Sequence, residues 1–171
     1  MSSYLLHMLI FGLNVTVISA IVIMIVRWYL IPFVQSRSLR DALIPLLLFS
    51  AIRVNGLMLL IPGVVANDIP QAFATAVAYG DVVAAILALV ACVALSSGVS
   101  WARTAVWAYS IVGLIDLMWA FTQLVLSGVD PSQVQGAYLL IVLMVPTLFI
   151  LHLVIIHRLR LHPEDSHTVT T

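Results

Sequence analysis

The sequence predicts an all-α membrane protein, a bundle of five transmembrane helices with the N-terminus outside and the C-terminus in the cytoplasm. Three observations carry this. The 171 residues are 63% hydrophobic and only 8% charged, whereas a soluble domain carries roughly 25% charged residues. Five apolar stretches reach the about 20 residues needed to cross a hydrocarbon core about 30 Å thick. The arginines gather in alternate connections, as the positive-inside rule requires.

The first span runs from about Tyr4 to Leu30 and ends at Pro32, because proline neither donates to the helical ladder nor fits against the preceding turn. The second covers about Ala42 to Val64, with Pro45 and Pro62 near its ends. The third, about Gln71 to Leu95, stops at the loop signal "SSG". Its small residues let neighbouring helices approach closely, which places it in the bundle interior or at a dimer contact. The fourth, Ala102 to Leu126, is followed by the turn residues of "SGVDPSQ". The fifth runs from about Gly136 to Ile156, and the polar tail "HRLRLHPEDSHTVTT" follows. Residues 1–160 thus form one transmembrane domain and 161–171 a cytoplasmic tail, with no soluble domain left over.

Arg27, Arg37 and Arg40 flank the first connection, Arg103 lies in the third, and Arg158 and Arg160 follow the last span. The second and fourth connections hold Asp68 and Asp130 and no arginine. Trp28, Tyr29 and Trp101 on the inner side and Tyr138 on the outer side are placed to anchor at the interfaces. The start lacks the basic n-region of a signal peptide and reads as a retained first helix.

Seven arginines balance seven acids and leave no basic face, so nucleic acid is set aside as a partner. Cys92 is the single cysteine, which excludes a disulfide framework or a Cys-rich metal site. There is no GxSxG, HExxH or P-loop, and no catalytic residue is assigned. A b-type haem needs two histidines at one depth on facing helices. His7 and His152 lie towards opposite faces, and His152 and His157 lie about 140° apart on one helix. His157, His162 and His167 recur in the tail and read as solvated. No metal or other cofactor is implied.

The informative residues lie at the centre. Counted from each span's outer end, Asn14, Asp81, Asp116 and Pro146 lie ten residues deep and Arg53 eleven, a depth of about 15 Å. A charged residue there costs roughly 2.5–3.5 kcal/mol, and a leucine or isoleucine returns only about 0.3–0.6. Arg53, Asp81 and Asp116 are therefore expected to face one another, with the planar guanidinium serving one or both carboxylates. One arginine against two aspartates leaves a surplus negative charge, balanced by a shared proton or by a bound cation. Asn14 is placed to cap the cluster, and Asn55, about 200° round its helix from Arg53, to face another neighbour. Pro146 frees a carbonyl near Val142. His152, about 9 Å towards the inner side on a straight helix, is a candidate proton relay. Tyr79 and Trp119 are candidate pocket walls, and helical packing is their alternative.

The stretches "RVNGLMLLIPGVV", "AYGDVVAAILALVA", "SIVGLIDLMWAFTQ" and "PTLFILHLVIIHRL" resemble a group of short bacterial five-helix membrane proteins with no known activity. The resemblance covers about residues 50–160 and implies that Arg53, Asp81, Asp116 and His152 recur in its relatives. It also implies a bacterial cytoplasmic membrane.

The functional expectation is binding or transport of a small solute, a cation or a proton at Arg53, Asp81 and Asp116. One alternative is a structural or assembly subunit whose charged layer only holds helices together; another is an electron carrier or membrane enzyme. Five spans are few for a transporter acting alone, so a homodimer or a partner membrane subunit is expected.

Overall fold

A computed structural model describes residues 2–161. The expected tail lies outside them except for Leu161, which ends the last helix. Five helices are long and apolar enough to cross a membrane: α1 (Ser3–Gln35), α2 (Leu39–Leu60), α3 (Gln71–Ser97), α4 (Ala102–Leu126) and α5 (Tyr138–Leu161). A 3₁₀ turn, Pro131–Ala137, leads into α5.

α1 does not end at Pro32. The residues before the proline widen into a π-helical turn, Val26–Leu30, in which the Ile31 N–H reaches the Val26 carbonyl. This wider ladder absorbs the proline's missing donor and its ring, so the helix continues to Gln35. α1 lies at the edge of the bundle against α5. Only Val22, Val26 and Val34 along it are buried.

α2 changes its winding midway. Leu39–Ser50 is α-helical and Ala51–Leu60 is 3₁₀, and the helix ends four residues before the predicted Val64. Runs of 3₁₀ longer than three or four residues are uncommon, and in them positions i and i+3 eclipse. The buried residues of this stretch are Arg53, Gly56 and Leu59, a single row facing α3. The 3₁₀ rise of about 2.0 Å per residue also keeps Arg53 about 14 Å from the end of its shortened helix.

α3 turns its small residues towards its neighbours, while Tyr79, Val83, Ile86, Val90 and Val93 lie exposed on its other face. Ala74, Ala78, Ala84, Ala85, Ala88, Ala91 and Ala94 are all buried, and α3 packs on both halves of α2 and on α4. It ends at Gly98, whose φ of +65° forms the left-handed cap. The α-helical half of α2 also packs on α5, whereas its 3₁₀ half packs on α3 and the Pro131–Ala137 turn. The two halves of the bundle therefore differ. One holds a packed core that includes Leu43, Leu47, Ala91, Val106, Tyr109, Leu151, Ile155 and Leu159. The other leaves space between α2 and α5.

The second and fourth connections close the latter end. Ala66 N–H donates to the Gln133 carbonyl at 2.8 Å and Gly136 N–H to the Val64 carbonyl at 2.9 Å. Beneath them Leu59, Val65, Phe73, Val129 and Val134 form a small apolar cluster. Asp130 caps the turn: its carboxylate accepts from Ser132 N–H, and the Gln133 side chain accepts from Asp130 N–H, both at 2.8 Å. His7 Nδ1 lies 2.9 Å from the same carboxylate and ties α1 to this lid. The Ser132 backbone bond, helped by His7, holds the Asp130 carboxyl below its ordinary 3.8. Its contribution to the lid is therefore complete at neutral pH and lost only as the pH falls below 3.8 through the lowered value. Hydrogen exchange at Ser132 and Gly136 should stay slow in the wild type until strong acid, and Asp130→Ala should speed it at neutral pH, with the difference from the wild type vanishing in strong acid where the carboxyl is protonated.

Tyr138 is not a free interfacial anchor. Its hydroxyl accepts from Asn14 at 3.2 Å, and its ring meets Phe11 edge-on at 6.0 Å. Trp28, Tyr29 and Trp101 are exposed at the opposite end, where the first and third connections lie.

Candidate functional site

The eclipsed row on α2 aims Arg53 into the bundle centre, where its side chain is 0% exposed. Nε and Nη2 both lie 2.8 Å from Asp81 Oδ1. Nη2 also donates to Asp116 Oδ2, and Nη1 donates to the Gly113 carbonyl at 3.2 Å. One guanidinium thus joins α2, α3 and α4. The two carboxylates keep 19% and 16% of their side-chain surface open.

Three glycines make room for this layer. A Cβ on Gly56 would overlap the Asp81 carboxylate, and one on Gly80 the Asp116 carboxylate. A Cβ on Gly113 would lie 2.5 Å from His152 Cε1 and 3.1 Å from Arg53 Nη1. Depth and charge alone do not single out these glycines. A usable signal was present: Gly56 follows Arg53 by three residues and Gly113 precedes Asp116 by three, so each shares a helix face with a charged residue.

His152 stands beside the guanidinium across Gly113, where an added Cβ would meet both its ring and Arg53 Nη1. The imidazole is fully buried, its ring centroid lies 4.8 Å from that of Tyr109, and Nε2 lies 3.4 Å from the Tyr109 hydroxyl. His152 Nδ1 and Ser110 Oγ are buried with no hydrogen-bond partner among the described residues.

Other sequence candidates fall outside the layer. Asn14 donates to the Ile10 carbonyl and to Tyr138 and does not cap the charges. Tyr79 and Trp119 are 59% and 56% exposed, on the outer surface of the bundle. Pro146 is buried in α5, and no hydrogen bond joins its turn to the charged layer among the described residues. Asn55 lines a cavity that Arg53 lines too.

That cavity, about 110 Å³, occupies the space between the 3₁₀ half of α2 and α5. Its floor is Arg53, Gly56 and Asp81, and its walls include Phe73, Val77, Leu124, Ile141 and Met144. Phe11 and Val15 of α1 stand at its side. Asp81 Oδ2, the oxygen not bound by Arg53, lies against Gly56, and both residues line this largely apolar chamber.

Fold and site together define a helical bundle with five candidate membrane spans and a buried ion-pair layer of one arginine and two aspartates. Residues 10–160 match the domain of unknown function DUF8737, and the chain belongs to that family. No curated protein and no solved structure matches it.

Proposed function

We propose that this chain is an integral membrane protein that binds a small organic cation, an ammonium carried on an apolar body, at Asp81. The observation that carries this is an apolar cavity lined at one side by Asp81, one of whose carboxylate oxygens Arg53 leaves free. A layer serving only as glue would be closed over by side chains, because interhelical packing is itself what holds membrane helices together. The guanidinium already serves both aspartates and the Gly113 carbonyl, so an anionic ligand would have to displace them. A cation instead balances the surplus charge, and a proton shared by the carboxylates balances it in the empty site.

Binding fits the geometry better than conduction. The tied connections close one end of the chamber and the packed core fills the other, so the approach is lateral, between α2 and α5 past Phe11 and Val15. In this reading the arginine-bearing end faces the cytoplasm, and the membrane is the bacterial cytoplasmic membrane implied by the resemblance.

Benzylammonium is a suitable probe, since cavities of this order accept a single aromatic ring. At about a hundred times its Kd it should add about 2.7 kcal/mol to wild-type stability, read as a rise in melting temperature in detergent. Asp81→Asn, which keeps the shape, and Ile141→Trp, which fills the chamber, should both abolish the rise. An equal rise in Asp81→Asn, or none in the wild type, would leave the layer as structural glue.

A further inference from the structure

At the arginine-bearing end, a second groove of about 190 Å³ runs between the last turn of α1 and the last turns of α5. Its walls include Ile31, Val34, Ile150, Leu153 and Val154, and Arg158 lies at its polar end. Arg158 is only 4% exposed. Nη2 donates to the Arg37 carbonyl at 2.8 Å, and Nε is buried with no partner. Among the described residues no carboxylate pairs with this guanidinium. A buried charge with neither counter-ion nor full hydrogen bonding is costly, so it calls for an anion.

The surroundings define that anion. Arg27, Arg37, Arg40, Arg103, Arg158 and Arg160 gather at this end against the single described acid Asp41. The first helix, at 33 residues, is longer than the hydrocarbon core requires, so this end reaches the headgroup region. An apolar groove leading to an unpaired arginine at that depth matches an acyl chain joined to a phosphate.

We infer that this groove is a binding site for an anionic phospholipid, with Arg158 holding the phosphate and Gln35 and His157 flanking it. The inference rests on the membrane assignment and not on the ammonium site.

The test is retention of phosphatidylglycerol against phosphatidylcholine by the full chain, measured by native mass spectrometry and by melting temperature. The wild type should retain phosphatidylglycerol selectively. Arg158→Gln should weaken retention about tenfold, the loss of one charge-assisted contact. Leu153→Trp, at a position 47% exposed, should fill the groove and weaken retention likewise while leaving the Arg158–Arg37 bond intact, so a folding defect in the first variant does not decide the matter. Equal retention of the two lipids, or wild-type retention by both variants, overturns the inference. So does equal protection by inorganic phosphate, which would make this a site for the free anion. If phosphatidylglycerol acts only after Glu164→Gln and Asp165→Asn, the chain's own tail is the occupant, and the lipid assignment falls.

Discussion

Arg53→Met should cost about 3–5 kcal/mol, the penalty for removing one partner of a buried ion pair, and leave little folded protein. The magnitude follows from what remains: two carboxylates at the bundle centre, previously served by three contacts from one side chain that also held the Gly113 carbonyl and fastened α2 to α3 and α4. Arg53→Lys should recover only part of the loss, because an ammonium cannot reach Asp81, Asp116 and Gly113 with one planar fork. Neutralising the whole layer, as Arg53→Met with Asp81→Asn and Asp116→Asn, should restore most of the stability, since the penalty lies in the unpaired charges. Heat or denaturant unfolding of the purified protein decides it. If the triple variant is no more stable than Arg53→Met, the arginine acts through its packing and hydrogen bonds rather than through charge.

Gly113→Ala should destabilise by about 1–3 kcal/mol, the usual cost of overpacking. The sign is diagnostic, because alanine for glycine inside a helix ordinarily stabilises by roughly 1 kcal/mol. Here the new methyl would lie 2.5 Å from His152 Cε1 and 2.7 Å from Nε2. The imidazole is fully buried between Arg53 and Tyr109 and has little room to retreat. Adding His152→Ala should relieve the clash, so the two substitutions together should cost less than the sum of their separate costs, with a coupling of about 0.5–3 kcal/mol. Additive effects would mean that the ring moves aside freely and that Gly113 is not its seat.

The five spans were legible because unbroken apolar runs need only be counted, and the charged layer because depth along a helix is arithmetic. Asp81 and Asp116 were matched to Arg53 on that basis. What depended on partners was not legible. Pro32 signals a helix end, yet the π-turn before it let α1 continue, a choice made by local strain that hydropathy does not record. The 3₁₀ winding of Ala51–Leu60 has no period in the sequence strong enough to oppose an α-helical reading. Asn14 lies on a peripheral helix, where Tyr138 is within reach and Arg53 is not. Equal depth matched Arg53 with Asp81 and Asp116, but it did not tell them from Asn14, which bonds Tyr138 instead.

The ten residues of 3₁₀ helix in α2 also give that helix a mechanical property. A 3₁₀ segment is stretched and overwound relative to an α-helix by about 0.5 Å and 20° per residue. Relaxing Ala51–Leu60 to α winding would shorten it by about 5 Å and unwind the row of Arg53, Gly56 and Leu59 into a spiral. The charged layer and the floor of the chamber therefore belong to one screw, and any force that turned it would pull the guanidinium away from both aspartates at once.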